Sequence, residues 1–385
     1  MRKILFLTIA FSLLMAGHAL AGWEEGVAAF TSKNYQAAAG EFQELVDKQP
    51  NSFQGHYMLG LTLQQLNRKE EALNHLRKAY DLNPNDLNTK LALGKAYHAA
   101  RRYGDVTNLL GSVDVNPLPS AQKVAFYQMR GQARLKQKDS SGAMNDFSQL
   151  AKLKPNDAQV QFNYGSLAIQ AGQMDKGLAA LDKAVKLAPN DADKKRTYVQ
   201  SLIKKGRESR DKTTKKTNYL KASELAGELV AKDGSYDNQM LKLSAELGAG
   251  AYDKAIESAK AAIAKKDTDW LAHFYLGQAY SSAKQYDAAV QPLLTAKEKV
   301  KEPNDLKQVW RQLGFTYEKQ KKYTQSIEAY NFAGDATAAA RVKENQDTAQ
   351  FNAQVEAENK RIQEMEAEAK RLEEELKALE GGGGL

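Results

Sequence analysis

At 385 residues, 42% hydrophobic and 26% charged, the chain can bury a core without disulfides, and it has no cysteine to form one. That lack excludes thiol catalysis, thiolate metal sites and thiol redox switching together. The net charge of +8 is uneven: residues 1–21 carry +2, residues 341–380 carry −4, and about +10 remains on residues 22–340, a basic body suited to anionic partners such as acidic proteins or lipid headgroups.

The chain opens with Arg2 and Lys3, an apolar stretch from Ile4 to about Ala16, and Ala19-Leu20-Ala21 before Gly22-Trp23. This is the charged start, short apolar run and small-residue cleavage site of a secretory signal peptide. The run is shorter than the about 20 residues a membrane span needs. Cleavage after Ala21 is expected, giving an exported product in the periplasm or outside the cell. No cysteine follows to carry a lipid, and there is no Asn-x-Ser/Thr sequon, which fits a bacterial envelope. Nucleic acid is not an expected partner there, and membrane contact is expected to be peripheral at most.

From residue 22 the chain is periodic. Pro50-Asn51-Ser52, Pro84-Asn85-Asp86, Pro155-Asn156-Asp157, Pro189-Asn190-Asp191 and Pro303-Asn304-Asp305 recur at separations of 34, 71, 34 and 114 residues. Glycines run in phase: Gly26, Gly60 and Gly94 are 34 apart, as are Gly131 and Gly165, and Gly277 and Gly314 follow. Large side chains stand three residues on, at Leu63, Tyr97, Tyr280 and Tyr317; small ones stand about twelve on, at Ala38, Ala72, Ala143, Gly177, Ala289 and Ser326. Apolar residues at three- and four-residue steps give each helix one buried face, so each period predicts two antiparallel helices. Small residues let the two backbones approach, proline ends the second helix, and Asp or Ser caps the next. No pair buries its apolar face alone, so the pairs must stack.

This order of Gly/Ala, aromatic, Ala, aromatic, Ala and Pro within 34 residues resembles the tetratricopeptide repeat family over nearly all of residues 22–338. The resemblance implies an all-α, right-handed superhelical solenoid of about nine helix hairpins. Units are placed near 22–52, 53–86, 87–122, 124–157, 158–191, 192–236, 237–268, 270–305 and 307–340. The sixth has Val199 in place of the glycine and about eleven extra residues around Arg207–Asn218; the seventh is slipped by about one residue and lacks the proline.

Catalytic patterns are missing. His56, His75, His98 and His273 stand far apart, with no carboxylate at metal-ligand spacing on the same helix face, and are read as surface or packing residues. Gly248-Ala249-Gly250-Ala251 lacks the Gly-Lys-Ser/Thr and preceding strand of a phosphate loop and is read as an inter-helix turn. Asp267 and Asp269 lack the glycine and bidentate glutamate of a calcium loop. No reaction, metal or cofactor is expected.

Three features are candidates for binding. In the family the first helices of successive units line a concave groove through about the second, fifth, sixth and ninth residues. The resemblance therefore places Tyr57, Gln128, Gln132, Phe162, Asn163, Ser166, Arg196, Gln200, Phe274, Gln278, Arg311 and Phe315 on that groove. Amides pair with an extended peptide backbone and aromatics add apolar contact, although packing inside the solenoid competes for each of these residues. Relatives that clamp a C-terminal carboxylate use Lys, Asn, Asn, Lys and Arg at fixed positions; Asn163 with Arg196 is only a fragment of that set. The second feature is the basic insert at about 204–218, with Lys204, Lys205, Arg207, Arg210, Lys212, Lys215 and Lys216: either a dock for an anionic surface or a solvated loop extending one helix pair.

The third is the C-terminal helix of residues 341–380. Val355, Ile362, Ala369 and Leu376 are seven apart, as are Phe351, Glu358, Met365, Leu372 and Leu379, a coiled-coil seam over about four heptads that Glu358 and Ala369 weaken. Phe351, Val355, Ile362, Met365, Leu372, Leu376 and Leu379 are expected to pair two copies into a homodimer, against two alternatives: a helix folded back on the last unit, or one alone in solvent. Residues 381–385 form a flexible tail. The expected function is a non-catalytic scaffold of the bacterial envelope, gathering proteins or extended peptides during assembly or maintenance of an envelope or secretion complex. A module for peptidoglycan or exopolysaccharide, and a structural oligomeric spacer, are the competing readings.

Overall fold

The computed structural model describes residues 22–381, with side chains to residue 377. The expected leader at 1–21, the Leu379 side chain and the tail after Gly381 lie outside the described residues. Among the described residues there are nineteen helices and no strand, in two compact units that part between Lys194 and Lys195. Each unit is described by itself.

The first unit contains the hairpins α1 (Trp23–Thr31) with α2 (Tyr35–Lys48), α3 (Phe53–Gln65) with α4 (Lys69–Leu82), α5 (Leu87–Ala99) with α6 (Tyr103–Leu110), α7 (Ser120–Lys136) with α8 (Ser140–Leu153), and α9 (Ala158–Gln170) with α10 (Met174–Leu187). Helix α11 (Ala192–Glu208) begins in this unit, and the second unit continues with α12 (Lys212–Lys232). Then come α13 (Tyr236–Ala249) with α14 (Tyr252–Lys265), α15 (Trp270–Ser282) with α16 (Tyr286–Lys299), α17 (Pro303–Lys319) with α18 (Tyr323–Phe332), and a single long α19 (Ala336–Gly381). The all-α hairpin architecture implied by the repeat is what the chain adopts.

The caps follow the Pro-Asn-Asp pattern. Ser52 Oγ accepts from Gly55 N at 3.1 Å, Asp86 Oδ2 from Thr89 N at 2.7 Å, Asp157 Oδ1 from Val160 N at 3.1 Å and Asp191 Oδ1 from Lys194 N at 3.0 Å. Each satisfies a backbone donor that the helix start leaves open. Pro303 departs from the pattern. It occupies the first turn of α17 and starts a helix instead of following one, because proline's fixed φ suits that position.

Within a hairpin the chain reverses through one left-handed residue: Lys33, Asn67, Arg101, Lys138, Gly172, Gly250, Lys284 or Lys321, with φ between 58° and 79°. The next N–H reaches back five residues, as from Arg102 to the Tyr97 carbonyl at 2.8 Å, and closes the last turn of the first helix. Only two of these eight residues are glycine. The other hairpin, α11 with α12, turns through Ser209–Asp211 without a left-handed residue.

Burial is shared between neighbouring hairpins. Leu76 of α4, Leu93 of α5, Val106 and Leu110 of α6, and Phe126 of α7 form one buried cluster. In the second unit Leu293, Val309 and Leu313 do the same across α16 and α17. Small residues set the closest approach: a Cβ on Gly165 would lie 2.9 Å from the Gly177 carbonyl oxygen. The extra residues of the sixth unit extend two helices, of 17 and 21 residues, and do not form a long loop. Tyr219 of α12 is wedged where Cβ atoms on Gly206 or Gly248 would come within 2.8 and 2.3 Å of its ring. Gly248 therefore serves packing, and the inter-helix turn itself is made at Gly250.

Candidate partner-binding surface

In the first unit α3, α5 and α7 lie side by side. They are stitched by Gln64 Nε2 donating to the Ala92 carbonyl at 3.1 Å and Gln122 Nε2 to Asn88 Oδ1 at 3.3 Å. Gln128 of α7 is exposed and Gln132 half-buried. Tyr57, Leu61 and Leu91 are half-buried and pack against the core beneath. The Tyr57 ring stacks on Phe53, and burial, followed by the charge of Asp86, pushes its phenol pKa up to about 12. On α9, Phe162 lies under the Lys194 ammonium, 5.3 Å from the ring centre, and Asn163 Oδ1 accepts from Gln159 Nε2 at 2.9 Å. The Ser166 hydroxyl oxygen is enclosed and has no hydrogen-bond partner, so no ligand reaches it directly.

The other groove candidates lie in the second unit. Arg196 donates to Asn238 Oδ1 at 3.4 Å, Gln200 is exposed and Gln278 half-buried. Arg311 is held by Asp335 at 3.2 Å, and Phe315 is exposed near the Lys319 ammonium. Phe274 departs from its expected place: at 8% exposure it is a core residue against Leu293, Val309 and Leu313. Tyr57 and Phe162, also fifth in their units, are half-buried, so the repeat register alone does not fix the exposure of that position.

In the insert, Lys204, Arg207, Arg210, Lys212, Lys215 and Lys216 are exposed and Lys205 is half-buried. Its bases flank the helix ends and the short connection between them. In α19, Phe351, Val355, Ile362, Met365, Leu372 and Leu376 are 41–64% exposed. The helix does not fold back on the last hairpin: from Asp347 to Lys377 every described side chain faces solvent.

Three arrangements had no signal in the sequence. Leu61 and Leu91 join the first-helix face, where the register showed only apolar residues. Asp146, 1% exposed, accepts from Arg130 at 2.7 Å and from Arg134 at 2.8 Å, while Arg130 also donates to the Leu110 carbonyl at 2.9 Å and ties down the short α6. A buried carboxylate keeps its charge only with such partners. His56 and His75 are also together, correcting the reading that kept them apart. Their rings stack at 5.2 Å with Nδ1 atoms 3.0 Å apart, because α3 and α4 run antiparallel. His56 Nε2 lies 3.0 Å from the Pro50 carbonyl; donation there makes His56 Nδ1 the acceptor from His75. Burial, then the neighbouring His56, lowers the His75 pKa. Among the described residues no three His, Asp or Glu side chains converge as a metal site, and no helix is long and apolar enough to cross a membrane.

Models of the tetratricopeptide repeat match residues 53–86, 129–192 and 240–301. None of the curated proteins matches the chain in sequence. Among solved structures it is similar to YrrB, described as a TPR protein with an unusual peptide-binding site, at 18% identity over 54% of this chain and 99% of that one, TM-score 0.41. It is also similar to MamA from Desulfovibrio magneticus RS-1, at 19% identity over 46% of this chain and 94% of that one, TM-score 0.39. With repeat models matching in three places and the same helix hairpin recurring between and beyond them, the chain belongs to the tetratricopeptide repeat family, whose members are in general non-catalytic scaffolds for protein interaction.

Proposed function

We propose that the chain is an exported scaffold of a bacterial cell envelope that holds extended segments of partner proteins against its first helices, in assembly or maintenance of an envelope or secretion complex. The observation that carries the binding reading is the row of α3, α5 and α7. It sets the amides Gln128 and Gln132 beside the half-exposed Tyr57, Leu61 and Leu91. Amides meet an extended backbone without regard to its sequence, and the apolar groups reward contact without demanding one side chain. The charged start, short apolar run and Ala19-Leu20-Ala21 of residues 2–21 support export. A displayed peptide library panned against the protein supplies a ligand. Gln128→Ala with Gln132→Ala is expected to weaken that ligand by about 1–3 kcal/mol. Unchanged affinity with helicity intact would remove this face from the reading.

One observation favours an envelope polymer instead. Phe332 is 56% exposed and stacked on Trp310 at 4.7 Å, with the Lys297 ammonium 4.9 Å from the Trp310 ring centre. Exposed rings of this kind pack on sugar faces. Co-sedimentation with insoluble peptidoglycan that Phe332→Ala abolishes would move the assignment to glycan.

A further inference from the structure

Helix α19 changes character at Gln346. Before it, Ala339 and Val342 are buried against Tyr330, and Arg341 pairs with Glu318 at 2.6 Å. After it, six large apolar side chains repeat along one stripe with nothing packed on them. Charge is sorted about that stripe. Taking Val355 and Ile362 as one seam row and Phe351 and Met365 as the other, the charged residues in or beside the seam are Glu358, Arg361, Glu366, Glu368, Glu373 and Glu375. Five are acids and one is a base. The remaining bases from 355 to 377, Lys360, Lys370, Arg371 and Lys377, all stand on outward positions. Arg361 comes within 3.9 Å of Glu358 and Arg371 within 3.4 Å of Glu375, both inside the helix. No ion pair among the described residues reaches Glu366, Glu368 or Glu373.

Flanking charges choose the partner of a seam, and a charged seam residue demands its complement. In a parallel pair of identical helices the two Glu358 would share one layer and Glu368 would face Glu373 of the other copy. In an antiparallel pair centred near residue 367, Glu366 and Glu368 would meet their own copies. We infer that the exposed stripe from Phe351 to Leu376 docks an amphipathic helix of another protein whose own seam is flanked by Lys and Arg, and not a second copy of this chain. The expected homodimer thus gives way to a heterotypic coil. The inference is independent of the first-helix face, since it uses only residues beyond Gln346.

The test uses the full chain and two synthetic helices with leucine at every seam position, one flanked throughout by lysine and one by glutamate. The lysine-flanked helix is expected to bind, and the glutamate-flanked one to bind about tenfold more weakly or worse. The combined Glu366→Lys, Glu368→Lys, Glu373→Lys and Glu375→Lys chain is expected to reverse that preference, and the unaltered chain alone is expected to scatter light as a monomer at tens of micromolar. Equal binding of the two helices, no binding of the lysine-flanked one, or a dimer of the unaltered chain at neutral pH would overturn the proposal.

Discussion

The repeat hairpins and the C-terminal helix use the same apolar steps and reach opposite ends. Ala255, Ala259, Ala262, Ala289, Leu293 and Ala296 are fully buried, whereas Phe351, with the same three- and four-residue spacing after it, is 64% exposed. Helix formation does not separate them, since both segments are helical throughout. What separates them is reversal. All hairpins but α11 with α12 turn back through a left-handed residue and bring a second apolar face to the first; after Gly334 no such residue occurs among the described ones, and α19 continues unbroken to Gly381. Periodicity makes a stripe, and a chain reversal supplies its partner.

The largest effect expected from breaking the hairpin side of this contrast is at Tyr219. Its ring fills the space between Gly206 and Gly248, and Tyr219→Ala should cost about 3–5 kcal/mol, the range for truncating a buried aromatic. Urea unfolding followed by helicity would measure it, and a loss below about 1 kcal/mol would mean the gap closes by itself.

A smaller effect should appear with pH. Burial and His56 hold His75 below its ordinary 6.5, with Glu71 and Asp47 pulling upward and Arg68 downward. The unfolded chain takes up a proton first, so this contribution is complete above pH 6.5 and is lost as pH falls through that value toward the folded one. The melting temperature should drop as buffers go from about pH 7 to about pH 5, and His75→Gln should flatten part of that slope. Equal slopes in both proteins would assign the pH dependence to carboxylates.

The turns offer a gain. Lys284→Gly or Arg101→Gly replaces a side chain strained at φ 63° or 58° and should add about 0.5–1 kcal/mol. Lys266→Gly, outside any left-handed position, should add nothing. The smallest effect is expected in the tail. A chain ended at Asn345 keeps Ala339 and Val342 on Tyr330 and should match the full chain within about 0.5 kcal/mol. Earlier melting of the shortened chain would show that the exposed stripe has a partner within the molecule.

Much of the fold was legible because the 34-residue period repeats the same physical solution. Gly60, Gly165 and Gly277 each mark a close helix crossing, and Ser52, Asp86 and Asp157 each cap a helix start. The surface was less legible. Phe274 and Arg311 each stand three residues before the glycine of neighbouring repeats, yet the first is buried and the second exposed. His56 and His75 looked unrelated at 19 residues apart until α3 and α4 brought them into contact.

By itself, then, the order of residues determined that this chain is helical, that its helices come in pairs, and where most pairs begin, because caps, small contacts and apolar steps are local rules satisfied within one or two turns. Tertiary structure alone decided which apolar stripes are covered. It enclosed Asp146 between two arginines, seated Tyr219 against two glycines, and left the stripe from Phe351 to Leu376 bare. Burial depends on a second surface from elsewhere in the chain, and no local pattern states whether that surface arrives.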